Sequence, residues 1–115
     1  MKALTKDTHE ILAGIAAGRA EMLESVLALQ ERGGEITGLD GRTFALVKIA
    51  VLIALDAPPA SYAWQVADAI DAGATAEDIV GVLRAVAPQV GGPRVVAAAP
   101  EIMLALGLSL PDGVE

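Results

Sequence analysis

The sequence predicts an all-α protein of five to six helices, and three observations carry that expectation. Apolar residues recur at three- and four-residue steps over long stretches. Capping residues and glycine or proline stops punctuate those stretches in helix order. The composition is 54% hydrophobic but only 3% aromatic, so the core is built from Ala, Val, Leu and Ile, which suits close helix packing more than an aromatic-rich sheet. At 115 residues the chain has the size of one domain, and residues 1–115 are expected to fold as one.

The first helix is expected from Asp7 to about Arg32, where Ile11, Leu12, Ile15, Met22, Leu23, Val26 and Leu27 form the apolar stripe. Its Gly14 and Gly18, four apart among alanines, either let a second backbone approach closely or are simply tolerated small residues. Gly33 and Gly34 stop it. Asp40 caps a second helix from about Gly41 to Leu55, whose interior FALVKIAVLIAL is apolar on every face. Such a pattern predicts the central helix; the four alanines from Ala45 to Ala57 and the length favour helix over strand.

Pro58 and Pro59 turn the chain into a third helix, about Ala60 to Ala72, which ends at Gly73. Thr75 caps a fourth helix, with Asp78 three residues on as a short capping-box acid and Glu77 beside it at the positive helix end. Pro88 is expected to end it. Gly91 and Gly92 make a corner, and Pro93 opens a last helix through Leu106 with a break or kink at Pro100. Pro111 to Glu115 reads as a tail.

Charge and composition exclude several function classes. A net charge of −7 repels phosphate backbones, so nucleic acid is not an expected partner. With no cysteine, the chain holds no disulfide, thiolate nucleophile or redox dithiol. One histidine, His9, and scattered carboxylates supply no metal-ligand set, and no phosphate-cradling glycine loop or other cofactor motif is present. The longest apolar run, Phe44 to Leu55, is interrupted by Lys48, and the first residues lack an apolar leader segment, so neither membrane nor export is expected and the cytoplasm is the expected compartment. A mean hydropathy of +0.54 is high for so small a domain and points to apolar surface covered by subunit interfaces.

LDGRTFALVKIAVLIAL, followed by WQVADAIDAGATAEDIVGVLRAVAPQVGGP, resembles the carboxymuconolactone decarboxylase family, which includes the alkylhydroperoxidase D-like proteins. The match covers about residues 39–106. Its strongest elements are the phrase around Ala72, Gly73, Ala74 and Thr75, the acidic start of the fourth helix, and the Gly91 to Pro93 corner, where such proteins carry a YxGxP-like turn. The resemblance implies an all-helical fold and homo-oligomers, trimers or hexamers, joined through helix faces.

The family's reactive side chains do not carry over. Its redox branch opens the third helix with a Cys-x-x-Cys pair and places a histidine on the next turn; decarboxylase relatives also place a histidine eight residues before the glycine. Pro58, Ser61 and Gln65 stand there in this chain. Since a thiolate must attack peroxide and a second thiol must resolve the product, family-type peroxidase chemistry is excluded for this chain alone. The family glutamate of the second helix falls near Ala45 or Leu46, and the turn tyrosine on Gln89.

The remaining candidates cluster on the second and third helices. Lys48 lies about 12 Å and Gln65 about 9 Å from the turn between them, so the two can reach one level of the hairpin. Lys48 is the candidate catalytic group if burial lowers its pKa; the alternative is a lysine that snorkels or pairs with Asp56 or Asp68. Gln65 can orient a polar ligand but not relay protons. Tyr62 and Trp64 either wall a pocket or pack in core or interface, and Gln89 and Arg94 frame the glycine corner, where Arg94 either holds a carboxylate or forms a surface ion pair. Two functions fit: a small-organic-ligand protein with non-redox lyase or isomerase chemistry, or a non-catalytic helical oligomer that acts as a binding or assembly module.

Overall fold

The computed structural model describes residues 4–20 and 37–114, and every described regular element is helical. The chain forms two compact units, Met1–Gly38 and Leu39–Glu115.

In the first unit, α1 spans Lys6–Ala16. The Thr5 hydroxyl accepts from Thr8 N at 3.2 Å, which satisfies one of the free donors at the helix start, and Asp7 complements the dipole there. The expected continuous helix from Asp7 to Arg32 is corrected: it stops at Ala16. Gly18 adopts φ +68°, Gly18 N donates to Ile15 O and Arg19 N donates to Gly14 O, the paired bonds of a Schellman stop. Among the described residues a Cβ added at Gly18 would meet nothing within 4 Å, and its positive φ serves the turn. Gly14 is buried. The Gly33–Gly34 stop lies outside the described residues.

The second unit is a four-helix arrangement: α2 Gly41–Leu55, α3 Pro59–Asp71, α4 Ala76–Val90 and α5 Gly92–Ala105. Asp40 caps α2 by accepting from Thr43 N at 2.8 Å, a bond that also holds its carboxyl below the usual range. Asp56 ends α2 in the left-handed region at φ 53° and ψ 55°, with Asp56 N bonded to Ile53 O and Ala57 N to Leu52 O. Pro58 and Pro59 open α3, whose fixed φ suits a first turn that lacks N–H partners anyway. Thr75 and Asp78 form the expected reciprocal box at the start of α4: Asp78 N donates to Thr75 Oγ1 and Thr75 N to Asp78 Oδ2.

Pro88 does not end α4, which continues to Val90. A proline two residues before the end forfeits a single i to i−4 bond and keeps a helical φ, so the stop falls instead on Gly91. With φ 87° and ψ 159°, Gly91 sits in a region essentially closed to side-chain-bearing residues and lets α5 begin at once. Pro100 likewise leaves α5 unbroken; the bond it forfeits would reach Val96, which is 72% exposed and open to solvent.

The core of this unit takes residues at three- and four-residue steps from each helix: Ala45, Ile49 and Ile53 from α2, Tyr62, Val66 and Ala69 from α3, Ile79 from α4, and Ala98 and Ile102 from α5. Each fully buried isoleucine contributes about 1.5–3 kcal/mol of hydrophobic stabilisation. α2 touches all three other helices of the unit, but so does α5. The expectation of a helix enclosed on every side is corrected, because Val47, Val51 and Leu55 on α2 remain exposed.

Candidate functional site

The α2–α3 hairpin carries most of the sequence-predicted site. Lys48 is half-buried, and its Nζ sits 4.6 Å from the centroid of the Phe44 ring one turn earlier, a cation–π contact along the helix. Among the described residues it forms no ion pair with Asp56 or Asp68; the ion pair present there is Arg42–Asp78. Gln65 is half-buried on α3, three residues after Tyr62 and four before Ala69, and so shares their inward face. Its Oε1 is buried and has no hydrogen-bond partner among the described residues. An orphaned acceptor of this kind is uncommon in a folded chain and costs about 1–3 kcal/mol.

Tyr62 is 2% exposed and belongs to the core. Burial pushes its hydroxyl pKa up, with the negative charges of Asp56 and Glu101 adding to the shift, so at neutral pH it remains a protonated donor. Trp64 points the other way and is 77% exposed. Gln89 and Arg94 are both exposed, on either side of the Gly91 corner. Ser61 and Pro58, where redox relatives place thiols, lie half-buried and exposed at the start of α3, while Ala45 and Leu46, near the family glutamate position, are buried and half-buried on α2. The hairpin thus places Tyr62 and Gln65 on one face, while Trp64 lies outward and Gln89 and Arg94 stand on other helices.

Two surface grooves of the second unit are apolar. One, about 310 Å³, runs between α3 and α5 and is lined by Pro59, Ala60, Ala63, Glu101, Leu104 and Ala105. The other, about 370 Å³, runs between α2 and α4, with Val47, Ala50 and Val86 in its floor and Arg42 and Thr43 at one end. Neither is lined by Lys48, Gln65, Tyr62, Trp64, Gln89 or Arg94, although Leu46, near the family glutamate position, lines the second.

The sequence reading missed the strongest polar contact of the unit. Arg42 Nε donates to Asp78 Oδ2 at 3.1 Å and Nη2 to Oδ1 at 2.6 Å, a two-pronged pair that joins the starts of α2 and α4. With the Thr75 N–H added, these bonds hold the Asp78 carboxyl down at about 2. Asp78 is legible in sequence as a capping acid, but nothing local marks Arg42, thirty-six positions away, as its partner. Glu101 was also legible only as the lone acid within the apolar run VVAAAPEIMLA.

Among the described residues no group of three or more histidine, aspartate or glutamate side chains is placed to hold a metal ion, and no helix is long and apolar enough to cross a membrane. The family model described as "Carboxymuconolactone decarboxylase family" matches residues 20–102, reaching further toward the N-terminus than the motifs of α2 to α5. Comparison with curated proteins and with solved structures returns no match. The family model spans most of the chain, and the all-helical architecture, the capped α4 and the glycine corner agree with it: the chain belongs to the carboxymuconolactone decarboxylase family.

Proposed function

We propose that this protein is a cytoplasmic homo-oligomer, a trimer or hexamer, whose α2–α3 hairpin binds a small organic molecule. The observation that carries this reading is the buried Oε1 of Gln65, unpartnered among the described residues, at the position where the family resemblance implies a histidine. A ligand hydroxyl or amide N–H supplied to that oxygen recovers the hydrogen bond the chain lacks, and the loss of the same bond is what makes a deoxy analogue bind poorly. Tyr62 lies one turn from Gln65 on α3, and Lys48, its Nζ over the Phe44 ring, is the cationic donor on α2 that we assign to the same site. Without thiols the dithiol cycle is closed to this chain, and the chemistry we assign there is of lyase or isomerase type, with Lys48 as the group that moves a proton. Gln89, Arg94 and Trp64 enter the site only if a second copy completes it.

A panel of small hydroxylated and amide-bearing organic molecules, read by thermal shift on the purified protein, tests the reading. The expected result is a set of compounds that raise the melting temperature of the wild type, lose that effect in Gln65→Leu, and keep binding but lose turnover in Lys48→Met. If no compound shifts the melting temperature, or every shift survives Gln65→Leu, the hairpin is not a ligand site.

A second reading, a non-catalytic assembly module, is supported by a different observation. Leu55 is 71% and Trp64 77% exposed, and Val96 is also open to solvent, an apolar surface of the kind that copies of a chain cover in one another. An oligomer that forms normally while no ligand binds favours this second reading.

A further inference from the structure

The α3–α5 groove holds a charged group that the hairpin does not use. Its floor and walls are Pro59, Ala60, Ala63, Leu104 and Ala105, and its one charged side chain is Glu101, half-buried in this apolar lining. Among the described residues Glu101 makes no ion pair. An ionised carboxylate is an acceptor at both oxygens and pairs with a cationic donor where one is offered. Glu101 and Asp56 both act on the core residue Tyr62, whose neutral hydroxyl makes no hydrogen bond among the described residues. The whole chain adds a net charge of −7, which draws cations and repels anions.

We propose that this groove binds a small organic ammonium, with the ammonium on the Glu101 carboxylate and an alkyl chain along Ala63, Leu104 and Pro59. The volume of about 310 Å³ admits a chain of several carbons. Charge complementarity selects this occupant over a fatty carboxylate of the same length, which the groove rejects because it would place two negative charges together. The site is separate from Gln65, so a failure here leaves the hairpin reading standing, and the converse also holds.

The test is titration of the full-length protein with n-hexylammonium, n-hexanoate and n-hexanol, followed by calorimetry and by amide chemical shifts of residues 59–63 and 101–105. Hexylammonium is expected to bind and to move those amides, hexanoate not to bind, and hexanol to bind at least tenfold more weakly than the ammonium. Glu101→Gln is expected to weaken hexylammonium about tenfold or more, and raised salt to weaken it further. Ala63→Leu, which fills the groove without altering charge, is expected to abolish binding; circular dichroism of both variants checks that they fold. Binding of hexanoate as strong as that of hexylammonium, binding unchanged in Glu101→Gln and Ala63→Leu, shifts confined to other residues, or no binding of hexylammonium at all overturns the proposal.

Discussion

Replacing Gln65 by leucine is expected to stabilise the protein in the absence of ligand, against the general rule that substitutions on an inward face destabilise. The substitution keeps nearly the same volume and removes a buried side-chain oxygen that has no donor among the described residues. An unsatisfied buried acceptor costs about 1–3 kcal/mol, and because Gln65 is half-buried rather than enclosed, the lower part of that range applies, about 1–2 kcal/mol. In a protein of this size that corresponds to a rise in melting temperature of roughly 3–8 °C. Urea unfolding and calorimetry at one fixed protein concentration measure it, since assembly makes apparent stability concentration-dependent. Gln65→Asn, which keeps an amide but shortens its reach, is expected to fall below the wild type by leaving a small void. If Gln65→Leu instead loses 1 kcal/mol or more, the oxygen has a partner in solution, and the reasoning from an orphaned acceptor to a ligand is wrong.

Other substitutions test other parts of the structure. The Asp78 carboxyl is held at about 2, below its unfolded value, so its contribution is complete above about pH 4 and fades as the pH falls toward 2. A melting-temperature profile of wild type against Asp78→Asn should therefore show a gap at pH 5 that narrows steadily as the pH falls through 2; a gap independent of pH contradicts the Arg42–Asp78 account. Asp56 holds a left-handed conformation at φ 53°, and Asp56→Gly should raise stability by about 0.5–1 kcal/mol in urea unfolding by relieving that strain. Val51→Glu combined with Leu55→Glu places charge on the exposed face of α2 and should shift sedimentation toward monomer, with Trp64, the sole tryptophan, emitting at longer wavelength if a second copy covers it. An unchanged sedimentation profile means that α2 does not lie in the interface.

The local grammar of the second unit was legible in the sequence because it acts over three or four residues. Asp40 finds Thr43 N, Thr75 and Asp78 find each other, and the stops at Asp56 and Gly73 follow from bonds between neighbours. The same locality explains the errors. Pro88 and Pro100 look like stops when read alone, yet a single missing N–H near a helix end or on an exposed face is too small a loss to break a helix held by packing. Gly18 looks like one of a packing pair, yet its left-handed conformation ends α1 early.

By itself, then, the sequence determined the helical class, most helix ends of α2 to α5, the family, and the lack of thiol chemistry. Tertiary structure decided what no local pattern encodes. α2 is apolar all round, so only the positions of α3, α4 and α5 choose which of its faces is buried and leave Val47, Val51 and Leu55 outside. The pairing of Arg42 with Asp78, the stranding of the Gln65 oxygen and the apolar setting of Glu101 all depend on how separate helices are placed against one another. A hydrogen bond at three residues is set by the backbone between its partners, whereas these arrangements are set by the packing of side-chain volumes far apart in the chain.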